Sequence, residues 1–271
     1  MILQLHNIFR HLYIRIAFSL LLASVLLLSS CENPTSPHEA VLSVPWTEQQ
    51  SIVCFGTSLT AGFMLNWNII VPAGSKIFQQ QPDFSERRTN TQQVFTDSTS
   101  YPALLGQVLR IKVFNEGIVG ATCERALTIV ADSVFKKNPA LVLLEFGAND
   151  LLQNIDAPLT EQRLNTLIDT LHSFGSKVVL ISFLYPEMID SIPASHFLYS
   201  RKDDARAYLD MLTRVGSTRA DYFVEMAMMG IYWRTELMSD AIHPNRIGYR
   251  LMEQNIESSL SATFRANKMY K

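Results

Sequence analysis

IVCFGTSLTAG, residues 52–62, starts as a buried strand and ends as something else. Ile52, Val53, Cys54 and Phe55 form an unbroken apolar run, the pattern of a strand covered on both faces. Gly56 breaks the run, and Thr57 and Ser58 follow at once. A strand that stops at a glycine and presents a serine at its tip is a place for chemistry only if other segments bring partners to it.

Outward from this stretch the chain alternates. SYPALLGQVL (100–109) has a helical pattern, and IKVFNEG (111–117) is strand-like. CERALTIVADSVFKKN (123–138) has apolar spacing near 3.6, and ALVLLEFG (140–147) is a short continuous apolar run. TEQRLNTLIDTLHSFG (160–175) is an amphipathic helix stopped by Gly175, and KVVLISFLYP (177–186) is a strand closed by Pro186. DDARAYLDMLTRVG (203–216) is helical, DYFVEM (221–226) is a weaker fifth strand, and a long final helix has Pro244 in its first turn. Strand and helix in strict alternation mean an α/β fold, a parallel sheet with helices on both faces. We expect a flavodoxin-like three-layer α/β/α sandwich with five parallel strands in the order 2-1-3-4-5. Two stretches break the rhythm: a long insertion at 64–99 and a shorter one at 186–200. Loops of this length are uncommon and often functional. Trp67, Phe78 and Phe84 in the first, and Tyr185 and Phe197 around the second, are candidates to line an acyl or aryl pocket.

Ligands of open parallel sheets bind beyond the carboxyl ends of the strands. In the expected order, strands two and three flank strand one, about 4.8 Å away on each side. Three tips then meet: Ser58 after strand one, Gly117 and Gly120 after strand two, Asn149 and Asp150 after strand three. Ser58 is a candidate nucleophile. Gly120 lets a backbone N–H approach a ligand closely. Asn149 can donate two hydrogens from a neutral amide. With the N–H of Ser58, these are the donors an oxyanion needs. Asp150 is expected to bond to backbone or to cap a helix.

The serine needs a base. Of six histidines, His6 and His11 fall in an apolar leader and His38 in a Pro/Ser-rich stretch. His172 sits in the last turn of a helix, and His196 in the second insertion. His243 remains, in SDAIHPN, with Asp240 three residues before it and its backbone restricted by Pro244. Serine, base and orienting carboxylate are then all present. The stretch Met226–Ser239 must carry His243 back across the top of the sheet, with its apolar MAMMGIYW segment packing on the way.

The composition limits the partners. The net charge is −2, which argues against nucleic acid. Arg10 and Arg15 precede IAFSLLLASVLLL, a run too short to span a membrane comfortably and suited to a secretory signal. Its end, Leu28-Ser29-Ser30-Cys31, resembles a bacterial lipobox. The resemblance implies cleavage after a signal peptide at 1–30 and lipidation of Cys31, with an uncleaved anchor or a plain signal as alternatives. Two or more acyl chains would anchor the protein stably. Residues 31–48 read as a tether, and 49–271 as the folded domain. Glu32 after the cysteine resembles outer-membrane sorting, so the expected location is the bacterial cell envelope. Cys54 reads as a buried small hydrophobe, and Cys54 and Cys123 make a poor metal site, with a disulfide between them as the alternative.

FGTSLTAG, NEGIVGAT, EFGAND and DAIHPN, in this order, resemble the four blocks of the SGNH hydrolase family, also called GDSL esterases and lipases. The similarity spans almost the whole domain beyond the tether. It is greatest with the small bacterial branch of thioesterase/lysophospholipases and arylesterases. It implies Ser58 as nucleophile, His243 as base, Asp240 as its partner, and an oxyanion hole from Ser58, Gly120 and Asn149. It implies no metal or organic cofactor. The family often has Asp where this chain has Thr57, which we expect to tune activity rather than remove it. The expected function is hydrolysis of acyl esters, thioesters or lysophospholipids. The alternatives are a carbohydrate O-acetylesterase and, in another class, a non-catalytic surface binding lipoprotein. Flavin binding fails because the first loop lacks a phosphate-cradling run of Ser and Thr.

Overall fold

The structure, a computed structural model, describes residues 41–65, 93–95, 98–225, 234 and 236–270. The leader 1–30, Cys31 and the tether up to residue 40 lie outside the described residues, as do Trp67, Phe78, Phe84, Met226, Met228 and Met229.

Five strands form the main sheet: β1 (Ser51–Gly56), β4 (Val113–Gly117), β5 (Pro139–Glu145), β6 (Lys177–Ser182) and β7 (Tyr222–Glu225). All are parallel, in the order β4-β1-β5-β6-β7. Numbered along the chain, that is the expected 2-1-3-4-5. β1 and β5 are buried at every residue, because both faces of a central parallel strand are covered. β4, at one edge, is only half-buried.

The helices are α1 (Ser58–Ala61), α2 (Tyr101–Leu109), α3 (Cys123–Ser133), α4 (Ala148–Leu152), α5 (Ala157–Ser173), α6 (Pro186–Asp190), α7 (Lys202–Thr218) and α8 (Arg246–Ala266). α2 packs on α8, and α5 packs between α3 and α7. Right-handed crossovers put these two groups on opposite faces, since the winding reverses direction after β4. Local chemistry sets the helix starts. Ser100, Thr122 and Asp156 each accept from a backbone N–H at the head of α2, α3 and α5.

Three details differ from the sequence expectation. α8 starts at Arg246, capped by Asn245, whose side chain accepts from Ile247 and Gly248 N–H. Pro244, expected inside that helix, instead forms an isolated bridge with Met238. The first insertion springs from an antiparallel ribbon of β2 (Phe63–Leu65) and β3 (Gln93–Phe95). Residues 41–46, within the expected tether, are tied to the end of α8. The Leu42 N–H donates to Thr263 Oγ1 (3.1 Å) and the Val44 N–H to Asn267 Oδ1 (3.0 Å). Cys54 and Cys123 are free buried thiols, not a disulfide.

Glycine lets the site assemble. Gly117, at the end of β4, lies so close to α1 that a Cβ would meet the Ala61 nitrogen at 2.0 Å.

Candidate active site

Ser58 is the first residue of α1 and follows β1 through Thr57. Thr57 has extended backbone angles and caps the helix, its hydroxyl accepting from the Leu59 N–H at 3.4 Å. The turn is held from the neighbouring central strand β5 by a residue that carries no motif in the sequence. Glu145, the last residue of β5, accepts from the Thr57 N–H (3.0 Å), the Thr57 hydroxyl (2.8 Å) and the Thr60 hydroxyl (3.1 Å). Burial pushes its carboxyl up to about 7, although these donors pull the other way. A signal for it existed: it is the one charged residue in ALVLLEFG, and a buried carboxylate demands partners.

His243 arrives from the loop before α8. Its Nε2 lies 2.9 Å from Ser58 Oγ and its Nδ1 lies 2.7 Å from Asp240 Oδ2. Asp240 Oδ1 accepts from the N–H groups of Ile242 and His243, both at 2.7 Å. Burial works to raise the Asp240 pKa. The His243 ring, its charge and the two backbone donors outweigh burial, so the net shift is downward. The loop is closed on itself: the Ser239 N–H donates to the His243 carbonyl (2.8 Å), and the Asn245 N–H to the Leu237 carbonyl (2.8 Å). The Phe63 ring lies against the imidazole, 4.5 Å between centroids. The Tyr249 hydroxyl donates to the Phe63 carbonyl at 2.8 Å, so α8 holds that wall in place.

The three expected donors lie along the same cleft, which Ser58, Gly120, Asn149 and His243 all line. Gly120 has φ of +77°, in the left-handed region that favours glycine. Asn149, in the first turn of α4, donates one amide hydrogen to the Ala121 carbonyl at 2.9 Å. That bond fixes the amide plane and leaves the second hydrogen for a ligand. Asp150 faces elsewhere: its carboxylate accepts from the Cys123 N–H (3.0 Å) and pins the start of α3. Its expected backbone role therefore stands. His172 pairs with Asp221 at 2.7 Å, away from the cleft-lining residues.

Beyond these residues, Thr57 and His196, the cleft is lined by apolar side chains. Its walls include Leu151, Leu152, Phe183, Met188, Phe197 and Ile242. Met188 and Phe197 come from the second insertion, so that excursion borders the site. Tyr185 is buried in the core instead of lining the cleft. His196, set aside in the search for a base, joins the insertion to the His243 loop. Its Nε2 lies 3.1 Å from the Ala241 carbonyl, while its Nδ1 accepts from the Leu198 N–H at 3.2 Å.

The chain resembles known proteins along this whole region. Residues 54–251 match the model of the GDSL-like lipase/acylhydrolase family. Thioesterase 1/protease 1/lysophospholipase L1 of Escherichia coli is 24% identical over 151 residues, covering 55% of this chain and 68% of that protein. A psychrotrophic esterase from Pseudoalteromonas shares the fold, with a TM-score of 0.57 at 18% identity, over 80% of this chain and 99% of that one. A Geobacillus acetyl-xylooligosaccharide esterase does so with a TM-score of 0.55 at 14% identity, over 78% and 94%. The α/β sheet order, the serine at its central tip and the matched span of residues agree, and the chain is an esterase of the GDSL-like lipase/acylhydrolase family.

Proposed function

We propose that this esterase cleaves carboxylic acyl esters through an acyl-enzyme on Ser58. The observation that carries the reading is the continuous chain Ser58 Oγ, His243 Nε2, His243 Nδ1, Asp240 Oδ2, with steps of 2.9 and 2.7 Å. Both lie within the reach that proton transfer requires. As Ser58 Oγ attacks the ester carbonyl, His243 takes its proton and Asp240 stabilises the imidazolium. The carbonyl oxygen becomes an oxyanion that accepts from the N–H groups of Ser58 and Gly120 and from the Asn149 amide. The His243 proton then passes to the leaving alcohol. A water activated by the same imidazole releases the acid and restores Ser58.

The apolar walls favour a hydrocarbon acyl chain over an acetyl group on a polar glycan. Leu151, Leu152, Phe183 and Met188 offer contact to methylenes and no hydrogen bonds to a sugar rim. A thiol in place of the alcohol leaves this chemistry unchanged. We also propose, from the lipobox-like LSSC sequence, that Cys31 carries lipid and holds the enzyme at the bacterial envelope.

A series of aryl esters from acetyl to long-chain acyl tests the substrate reading. It predicts that kcat/KM rises from acetyl to a medium chain, by about 4-fold for each added methylene that finds a wall, the ~0.8 kcal/mol of burying one CH2. A maximum at acetyl, with steep loss thereafter, would favour the carbohydrate O-acetylesterase. No turnover of any ester by folded protein would favour the binding lipoprotein.

A further inference from the structure

Glu145 is wholly buried, and no step of the hydrolysis uses it. It pairs in the sheet with Gly56, the last residue before Thr57. Its Oε2 accepts from Thr57 N, Thr57 Oγ1 and Thr60 Oγ1, and Oε1 lies 3.1 Å from Thr57 Oγ1. Every one of these partners donates, which suits a carboxylate, an acceptor on both oxygens. The other titratable groups around it are Tyr101 on α2, which shares a hydrogen bond with Thr60 Oγ1 at 3.1 Å, Cys54 on β1 beside Tyr101, and Cys123 on α3. None of them is a cation.

A buried carboxylate without a cation partner is a poor device for stability, since an apolar side chain of similar size would avoid the desolvation cost. Its bonds go to the two threonines that flank Ser58. The Thr57 hydroxyl donates to Glu145 and accepts from the Leu59 N–H, so a two-step chain runs from the carboxylate into the first turn of α1. Ser58 sits between anchored residues, its backbone direction set by bonds it does not make itself. Gly56 clears the space: a Cβ there would meet Thr60 Oγ1 at 2.1 Å and Glu145 Oε2 at 2.9 Å.

We propose that Glu145 is a positioning residue for the ester hydrolysis, fixing through Thr57 and Thr60 the turn that sets Ser58 Oγ against His243. The proposal rests on the reading of Ser58 as nucleophile. Where the family often has Asp, Thr57 is then more than a neutral replacement. An ionised carboxyl at 57 has no hydrogen to give Glu145, whereas the threonine hydroxyl donates to it.

The test uses the full chain and its Glu145→Ala, Glu145→Gln, Thr57→Val, Thr57→Ser and Ser58→Ala variants. Hydrolysis of p-nitrophenyl butyrate gives kcat and KM, with each rate divided by the folded fraction from circular dichroism. Glu145→Ala is expected to lower kcat by about 100-fold with KM nearly unchanged, the scale of loss that misplacing a reacting group produces. Glu145→Gln keeps an acceptor for the Thr57 N–H and is expected to retain kcat within about 10-fold, the scale of one hydrogen bond. Thr57→Val is expected to fall and Thr57→Ser to match the parent. A kcat per folded molecule unchanged in Glu145→Ala, or equal in Thr57→Val and Thr57→Ser, would overturn the proposal. If Glu145→Ala does not fold, the Thr57 pair decides alone. Turnover by Ser58→Ala would instead overturn the nucleophile reading on which the proposal stands. An inert Ser58→Ala beside unimpaired Glu145→Ala and Thr57→Val would overturn only the positioning role.

Discussion

In the proposed mechanism Asp240 and Asn149 serve different steps of one reaction. Asp240 holds the His243 ring by Nδ1, so replacing its acceptor oxygen with an amide leaves the wrong tautomer at Nε2. Asp240→Asn is expected to lower kcat on the order of 1,000- to 10,000-fold, read by steady-state kinetics on an aryl ester. Asn149→Ala removes one proposed oxyanion donor, and an expected loss of about 100- to 1,000-fold should appear in kcat with little change in KM. A loss mainly in KM would place Asn149 in ground-state binding instead. The carboxyls of Glu145 and Asp240 also set opposite pH dependences for stability. The Glu145 pKa is raised from 4.5 to about 7 in the folded chain, so the folded state binds the extra proton. Its contribution is present in full below about 4.5 and is lost as pH rises through about 7. Asp240 is lowered from 3.8, so its contribution is present above that value and is lost as pH falls through the folded pKa. Thermal unfolding of Glu145→Gln should therefore lack a fall in Tm that the parent shows between about pH 5 and pH 8. Parallel curves for the two proteins would remove Glu145 from that account. His243 and Asp240 were legible in sequence because the bond between them spans three residues of one loop. Glu145 was not, because its partners lie 85 to 88 residues away and only the pairing of β5 with β1 brings them together.

At the scale of elements, the site depends on how closely β4, β1 and β5 approach one another at their carboxyl ends. β1 and β5 were readable as strands because central parallel strands are apolar at nearly every position. The position of Ser58, Gly120 and Asn149 at neighbouring tips then followed from strand order. The start of α8 was less readable, since Pro244 and Asn245 both suit a helix N-terminus and only the hydrogen bonds of Asn245 distinguish them. The role of the second insertion was hidden for a different reason. Met188 and Phe197 carry no motif, and only the folding of α6 and its following loop over the cleft gives them one. Gly117→Ala tests the close approach of β4 and α1. With a Cβ 2.0 Å from the Ala61 nitrogen, backbone must move, and the expected cost is about 1–3 kcal/mol in chemical denaturation, with reduced kcat. Unchanged stability and rate would mean that α1 tolerates displacement without disturbing Ser58.

At the scale of the whole molecule, the folded domain reaches to residue 41, where Leu42 and Val44 dock on the end of α8. The proposed anchor rests on the lipobox-like LSSC sequence before it. If Cys31 is lipidated, Cys31→Ala should abolish incorporation of labelled fatty acid and release the protein from the membrane fraction, with esterase activity retained. Labelling that survives the substitution would contradict the anchor. The proposed mechanism turns on one atom, Ser58 Oγ, 2.9 Å from the His243 imidazole. The most direct measurement is therefore to treat the full chain with an alkyl fluorophosphonate and map the adduct by mass spectrometry, alongside residual activity. One covalent adduct is expected on Ser58, formed in step with loss of ester hydrolysis and absent in Ser58→Ala. An adduct on another residue, or full hydrolysis by Ser58→Ala, would contradict the mechanism.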